Sequence, residues 1–156
     1  KAEYMYVFLA SVICFMIPYF VVKLYEFAIS IPVPIYKKWT YPSTKNMKDP
    51  KESELKNPVI ISFEFNKDVD TDEISSFRLK APEQMEFGKL FYFFINDYNE
   101  RHPESQIAHK DKENKPYEWV FFSKPDFIGN RKHIDFIKTV GSNRIKENDV
   151  IICQRA

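Results

Sequence analysis

The run Tyr4–Val22, YMYVFLASVICFMIPYFVV, holds 19 residues without a charge. No other feature of the chain restricts its fold as much. A helix rises about 1.5 Å per residue, so this run nearly spans a bilayer core of about 30 Å. Lys23 and Glu26 follow, and the apolar stretch extends toward Ile31 if Lys23 snorkels to the interface. Tyr4, Tyr6, Tyr19 and Tyr25 suit the interfacial aromatic belts, and Pro18 predicts a kink or loosened last turns. A secretory signal would have a basic start, a shorter apolar run and a small-residue cleavage site. Lys1-Ala2-Glu3 is a poor basic start, and no such site follows. A buried core helix of this length without a charge would be unusual, and the rest of the chain is far more polar. The expectation is a transmembrane helix within residues 1–30, with Tyr4, Phe8, Phe15, Tyr19 and Phe20 as its anchoring side chains. Ala10, Ser11 and Cys14 are small enough to let such helices approach, which favours a homo-oligomer in the lipid bilayer.

The flanking charges suggest an orientation. Lys1 and Glu3 precede the span, while Lys23, Lys37, Lys38, Lys45, Lys48, Lys51 and Lys56 follow it. The positive side is normally cytoplasmic, so the C-terminal part is expected in the cytosol. Two cysteines, one in the span (Cys14) and one in an expected strand (Cys153), agree with a reducing compartment. Residues 31–58 carry Pro32, Pro34, Pro42, Pro50 and Pro58, five of the ten prolines, and read as an extended linker. Six lysines between Lys37 and Lys56 against Asp49, Glu52 and Glu54 leave it basic, so it is either a solvated connector or a segment touching anionic lipid. Trp39 and Tyr41 would then sit at headgroup level.

Residues 59–156 are enough for one domain with its own core. They hold 15 basic and 17 acidic residues, which leaves no electrostatic footprint for nucleic acid. In VIISFEFN, Val59, Ile61, Phe63 and Phe65 alternate with Ile60, Ser62, Glu64 and Asn66, the mark of a half-buried strand. NKDVDTDEIS reads as a polar hairpin loop, and Phe77, Leu79 and Ala81 alternate in the returning strand. A helix is expected over PEQMEFGKLFYFFINDYNER, stopped by Pro103, followed by the charged loop HKDKENKPYE. Further strands are expected at Trp119–Ser123, near Lys132–Phe136, and at Val150–Arg155 after a turn at Glu147-Asn148-Asp149. The class is α+β. A hairpin, one packed helix on a mixed sheet and a Val/Ile-rich last strand resemble the β-grasp (ubiquitin-like) arrangement. The chain ends in CQRA without a Gly-Gly tail, so no conjugation is expected.

Within the helix, Phe87, Leu90, Phe91, Phe94, Ile95 and Tyr98 share one face at about 100° per residue. The uncharged run Leu90–Ile95 is too short to span a membrane, so this is a core helix. Tyr92 and Phe93 lie off that face. Either neighbouring loops cover them, or they belong to an exposed aromatic patch of the kind that marks protein contacts, with Phe93 the first candidate.

Catalytic constellations are missing from the sequence. His102, His109 and His133 lie in polar loops, without a His or Cys at metal-ligand spacing. Cys153 has no His nearby, and Gly88, Gly129 and Gly141 build no phosphate-cradling loop. Asp68, Asp70, Asp72 and Glu73 superficially resemble a calcium loop but lack its central Gly and final Glu, so a solvated turn is expected. No cofactor, metal or enzymatic activity is expected.

Three stretches point to a family. FRLKAPEQMEFGKLFYFFINDYN (Phe77–Asn99), PYEWVFF (Pro116–Phe122) and NRIKENDVIICQR (Asn143–Arg155) resemble the C-terminal region of the TssN family of type VI secretion systems of Bacteroidota, over about Trp39–Arg155. The resemblance implies a structural inner-membrane subunit of a secretion apparatus, with other membrane subunits as partners and further spans upstream. It carries over no catalytic residue. The expected function is a membrane-anchored component that docks other subunits through its soluble domain, with Tyr92, Phe93, Trp39 and Tyr41 and the loop His109–Glu118 as interface candidates. The alternative is a membrane-tethered ubiquitin-like adaptor for a soluble cytosolic regulator.

Overall fold

A computed structural model describes residues 2–31, 35–42, 47–69, 73–127 and 129–156. Lys1, Pro32, Pro34, Lys45, Asp70 and Asp72, singled out above, lie outside the described residues. The chain divides into two compact units, residues 1–35 and 36–156.

The first unit is one helix, α1, Ala2–Ser30. It is apolar on every side, and its large side chains are uncovered: Phe15 is 83% exposed and Tyr4 82%. Phe8, Tyr19 and Phe20 are exposed as well. Such a surface is unfavourable in water and suits lipid. By length and composition the helix is able to cross a membrane. Both serines and the Lys23–Glu26 pair bond within the helix, as suits a low-dielectric surrounding. Ser11 Oγ donates to the Val7 carbonyl at 2.9 Å, Ser30 Oγ to that of Phe27 at 2.8 Å, and Lys23 pairs with Glu26 at 2.7 Å. Pro18 lies inside the helix.

The second unit is a mixed sheet with a helix on one face. Its elements are β1 Trp39–Thr40, β2 Pro58–Asn66, β3 Ile74–Pro82, α2 Phe87–Arg101, β4 Glu118–Ser123, β5 His133–Ile134 and β6 Val150–Arg155. The strand order is β1-β4-β6-β2-β3, with β5 also paired to β4. β2 and β3 form an antiparallel hairpin in which Phe63 faces Phe77 and Ile61 faces Leu79. β6 runs parallel to β2, with Ile151 beside Phe63, and antiparallel to β4. The expected turn before β6 is present. Asn148 takes the left-handed conformation (φ 65°) that Asn tolerates, and its N–H donates to the Ile60 carbonyl at 2.7 Å. Glu147 accepts the Ile60 N–H at 2.8 Å, so this turn fixes where β6 joins β2.

The alternation expected in β2 is observed: Ile61, Phe63 and Phe65 are buried, while Ile60, Ser62 and Glu64 are partly exposed on the other face. The core is mostly aromatic. Phe63 meets Phe87, Phe91 and Phe94 edge-on at 5.7, 5.5 and 5.2 Å between ring centroids. Burying each large ring contributes roughly 1.5–3 kcal/mol, and edge-to-face geometry adds about 1 kcal/mol per pair.

Two expectations are corrected. The helix begins at Phe87 rather than near Pro82. Pro82 still pairs with Pro58 at the end of β3, and the chain turns there, with Met85 N–H donating to the Pro82 carbonyl at 3.1 Å. The first amides of α2 find partners in the 136–138 segment: Phe87 N–H donates to Lys138 O at 3.0 Å and Gly88 N–H to Phe136 O at 2.9 Å. The segment 31–58 is also not a linker throughout. From Tyr36 it belongs to the second unit, where β1 pairs Trp39 with Trp119, and Glu52–Leu55 form a 3-10 turn.

Candidate docking groove

The sequence-derived interface residues divide sharply in the fold. Trp39 is 4% exposed and Tyr41 8%, so neither ring is free to contact lipid headgroups or a partner. The Trp39 ring packs on Phe91 at 5.3 Å and on Phe121 at 6.1 Å, and Tyr41 packs on Tyr92 at 5.5 Å. With Tyr41 at 6.1 Å, these rings form the pocket that takes up the indole. Tyr92 is corrected too. It is 7% exposed because Tyr41 covers it, so it contributes to the core and not to an exposed patch. The Tyr41 hydroxyl donates to Asn96 Oδ1, and burial raises its pKa. The alternation Trp39-Thr40-Tyr41, with aromatics either side of a β-branched residue, was the available sign of a strand.

Phe93 is placed differently. It is half-buried and lines an open groove of about 590 Å³ beside α2, with Pro50, Leu55, Leu79, Leu90 and Phe94. Phe94 and Tyr98 stop short of full burial, each meeting the Phe77 ring, at 5.4 and 5.0 Å. Lys80, Asp97 and Glu100 form a polar rim. Asp97 is paired with Arg101 at 2.8 Å. The Lys89 ammonium lies 2.6 Å from Glu54, and that hydrogen bond holds the Glu54 carboxyl below its usual range. The pair ties the 3-10 turn carrying Leu55 to α2.

The loop His109–Glu118 folds back on itself. Asp111 Oδ1 accepts the amides of Glu113 and Lys115 at 2.8 and 2.9 Å, and Tyr117 N–H donates to His109 O at 3.0 Å. His109 packs on Tyr41 at 4.4 Å, and burial lowers its pKa. Cys153 is buried in β6, and burial pushes its thiol well up. Among the described residues, no three His, Cys, Asp or Glu side chains come together as a metal site. The arrangement offers an apolar recess with a charged rim, suited to recognition.

The family model for type VI secretion system TssN matches residues 1–156. That match extends beyond the stretches resembling the family, through α1 to the first residue. A search of curated proteins finds no match. With a helix able to cross a membrane, membership also points to membrane association. The chain belongs to the TssN family and is a component of a type VI secretion system.

Proposed function

We propose that the chain is a structural, non-catalytic subunit that anchors part of the apparatus in the bacterial inner membrane and docks other subunits through its sheet-and-helix unit. The family match over the whole chain carries this reading. The uncovered apolar surface of α1 supports an inserted helix, and the lysines after it support a cytoplasmic position for the second unit. A β-grasp arrangement for that unit is supported by a hairpin, a helix and a last strand parallel to the first strand of the hairpin. The groove at Phe93 is the docking surface, and Ala10, Ser11 and Cys14 bring copies of α1 together. Purification from native membranes in detergent, with mass spectrometry of accompanying proteins, tests the proposal. Other secretion subunits in fixed ratio are the expected result. Recovery of the chain with one soluble regulator favours the adaptor reading and sinks this one.

A further inference from the structure

The two edges of the sheet differ. On one side β4 is flanked by the short strands β1 and β5. On the other, β3 runs nine residues, Ile74–Pro82, and pairs only with β2 among the described residues. The register shows which of its backbone groups are open. Ser62 faces Arg78, yet Ser62 N–H donates to Asp149 O at 2.9 Å, away from β3. Ser62 and Arg78 are therefore a pair without mutual hydrogen bonds, and the Arg78 N–H and C=O point off the sheet. The same alternation directs the N–H and C=O groups of Ser76 and Lys80 outward. An edge with three donor–acceptor pairs in a row is a template for another strand.

We infer that β3 accepts an added strand from a partner subunit, an extended segment in which apolar residues alternate with acidic ones. The inference rests on the docking reading above and names the chemistry of the partner. Side chains on one face of an added strand would lie over the groove of Leu79, Phe93 and Phe94, which suits apolar residues. Those on the other face would lie beside Arg78, which donates to Asn148 Oδ1 at 2.8 Å, and beside Lys80 at the groove's rim, both exposed, which suits carboxylates. The same two cations act against pairing with the β3 edge of a second copy, because they would bring like charges together. Backbone hydrogen bonds supply the affinity of such strand addition, and alternate side chains supply the specificity.

The test uses the full chain in detergent and a capped peptide of about seven residues, alternating Glu and Val. Binding is expected to slow amide exchange at Ser76, Arg78 and Lys80. A Lys/Val peptide, or one N-methylated along one edge, is expected to bind at least about tenfold more weakly. The double substitution Arg78→Glu and Lys80→Glu is expected to reverse the preference for Glu over Lys, and Phe93→Asp to weaken binding about tenfold. Absence of peptide binding, or binding insensitive to N-methylation and charge reversal, overturns the inference. Protection at β3 that appears without peptide and grows with chain concentration assigns the edge to a second copy and also overturns it. Subunits that copurify equally with the charge-reversed chain sink the added strand and leave the docking reading standing. Loss of those subunits from the unsubstituted chain sinks the docking reading itself.

Discussion

Gly88 lies against Trp39 so closely that a Cβ at position 88 would fall 2.8 Å from the indole nitrogen. It would also lie 3.2 Å from the Phe136 carbonyl oxygen, which is backbone and cannot rotate aside. The contact joins the segment after α1 to the first turn of α2. Glycine is required there by close approach, not by backbone angle. Gly88→Ala is expected to destabilise the unit by about 1–3 kcal/mol through overpacking, although alanine is the better helix former. Trp39→Ala is expected to cost more, about 3–5 kcal/mol, by leaving a cavity. Denaturant unfolding of the purified chain, followed by tryptophan fluorescence, measures both.

Arg155 closes the end of β6. Its guanidinium lies 4.5 Å from the Trp119 ring and donates to the carbonyls of Asn66, Lys67 and Ala108 at 2.7, 2.8 and 3.0 Å. A lysine ammonium cannot reproduce that planar fork. Arg155→Lys is expected to lower stability by about 1–3 kcal/mol, read from the same unfolding curves.

Asn143, buried at 5% exposure, holds the 135–139 turn. Its Nδ2 donates to the carbonyls of Asp135 and Thr139 at 2.9 and 3.1 Å, and its Oδ1 accepts the Asp135 amide at 3.0 Å. Asn143→Leu leaves these backbone groups without their partner and is expected to cost about 2–3 kcal/mol. Because this turn supplies the carbonyls that receive the α2 amides, faster amide exchange at Phe87 and Gly88 is expected as well.

Acidification should weaken the fold through two histidines. His109 packs on Tyr41, and His133 stacks on Tyr36 at 4.7 Å. Burial lowers the pKa of both below the ordinary value of 6.5, against a smaller opposing pull from Asp135 on His133. The unfolded chain therefore binds more protons between the folded and unfolded pKa values. Their contribution is complete above 6.5 and falls as pH drops through the lowered values. Unfolding midpoints between about pH 8 and pH 5 are expected to decline, and His109→Gln to flatten part of that slope.

Much of the second unit is readable in the sequence because its strands alternate cleanly. Phe63 and Phe65 show their inward face, as do Phe77 and Leu79, and the turn at Asn148 marks where β6 begins. The period of α2 identifies Phe87, Leu90, Phe91 and Ile95 as core, all of them buried. Less was legible where burial depends on distant partners. Tyr92 looks exposed on a helical wheel until Tyr41, far away in sequence, closes over it. Trp39 lies in a Pro- and Lys-rich stretch that reads as linker, and its pairing with Trp119 and packing on Phe91 and Phe121 make it core. The groove at Phe93 needs Pro50 and Leu55 from that same stretch, so Phe93 could be singled out but its surroundings could not.

The most direct test of the docking role places a photo-crosslinking residue at position 93 in the full chain, in cells that assemble the apparatus. Irradiation is expected to join the chain to other membrane subunits of the secretion system, identified by mass spectrometry. Crosslinks confined to one soluble protein, or to none while the chain remains folded in the membrane, would contradict it.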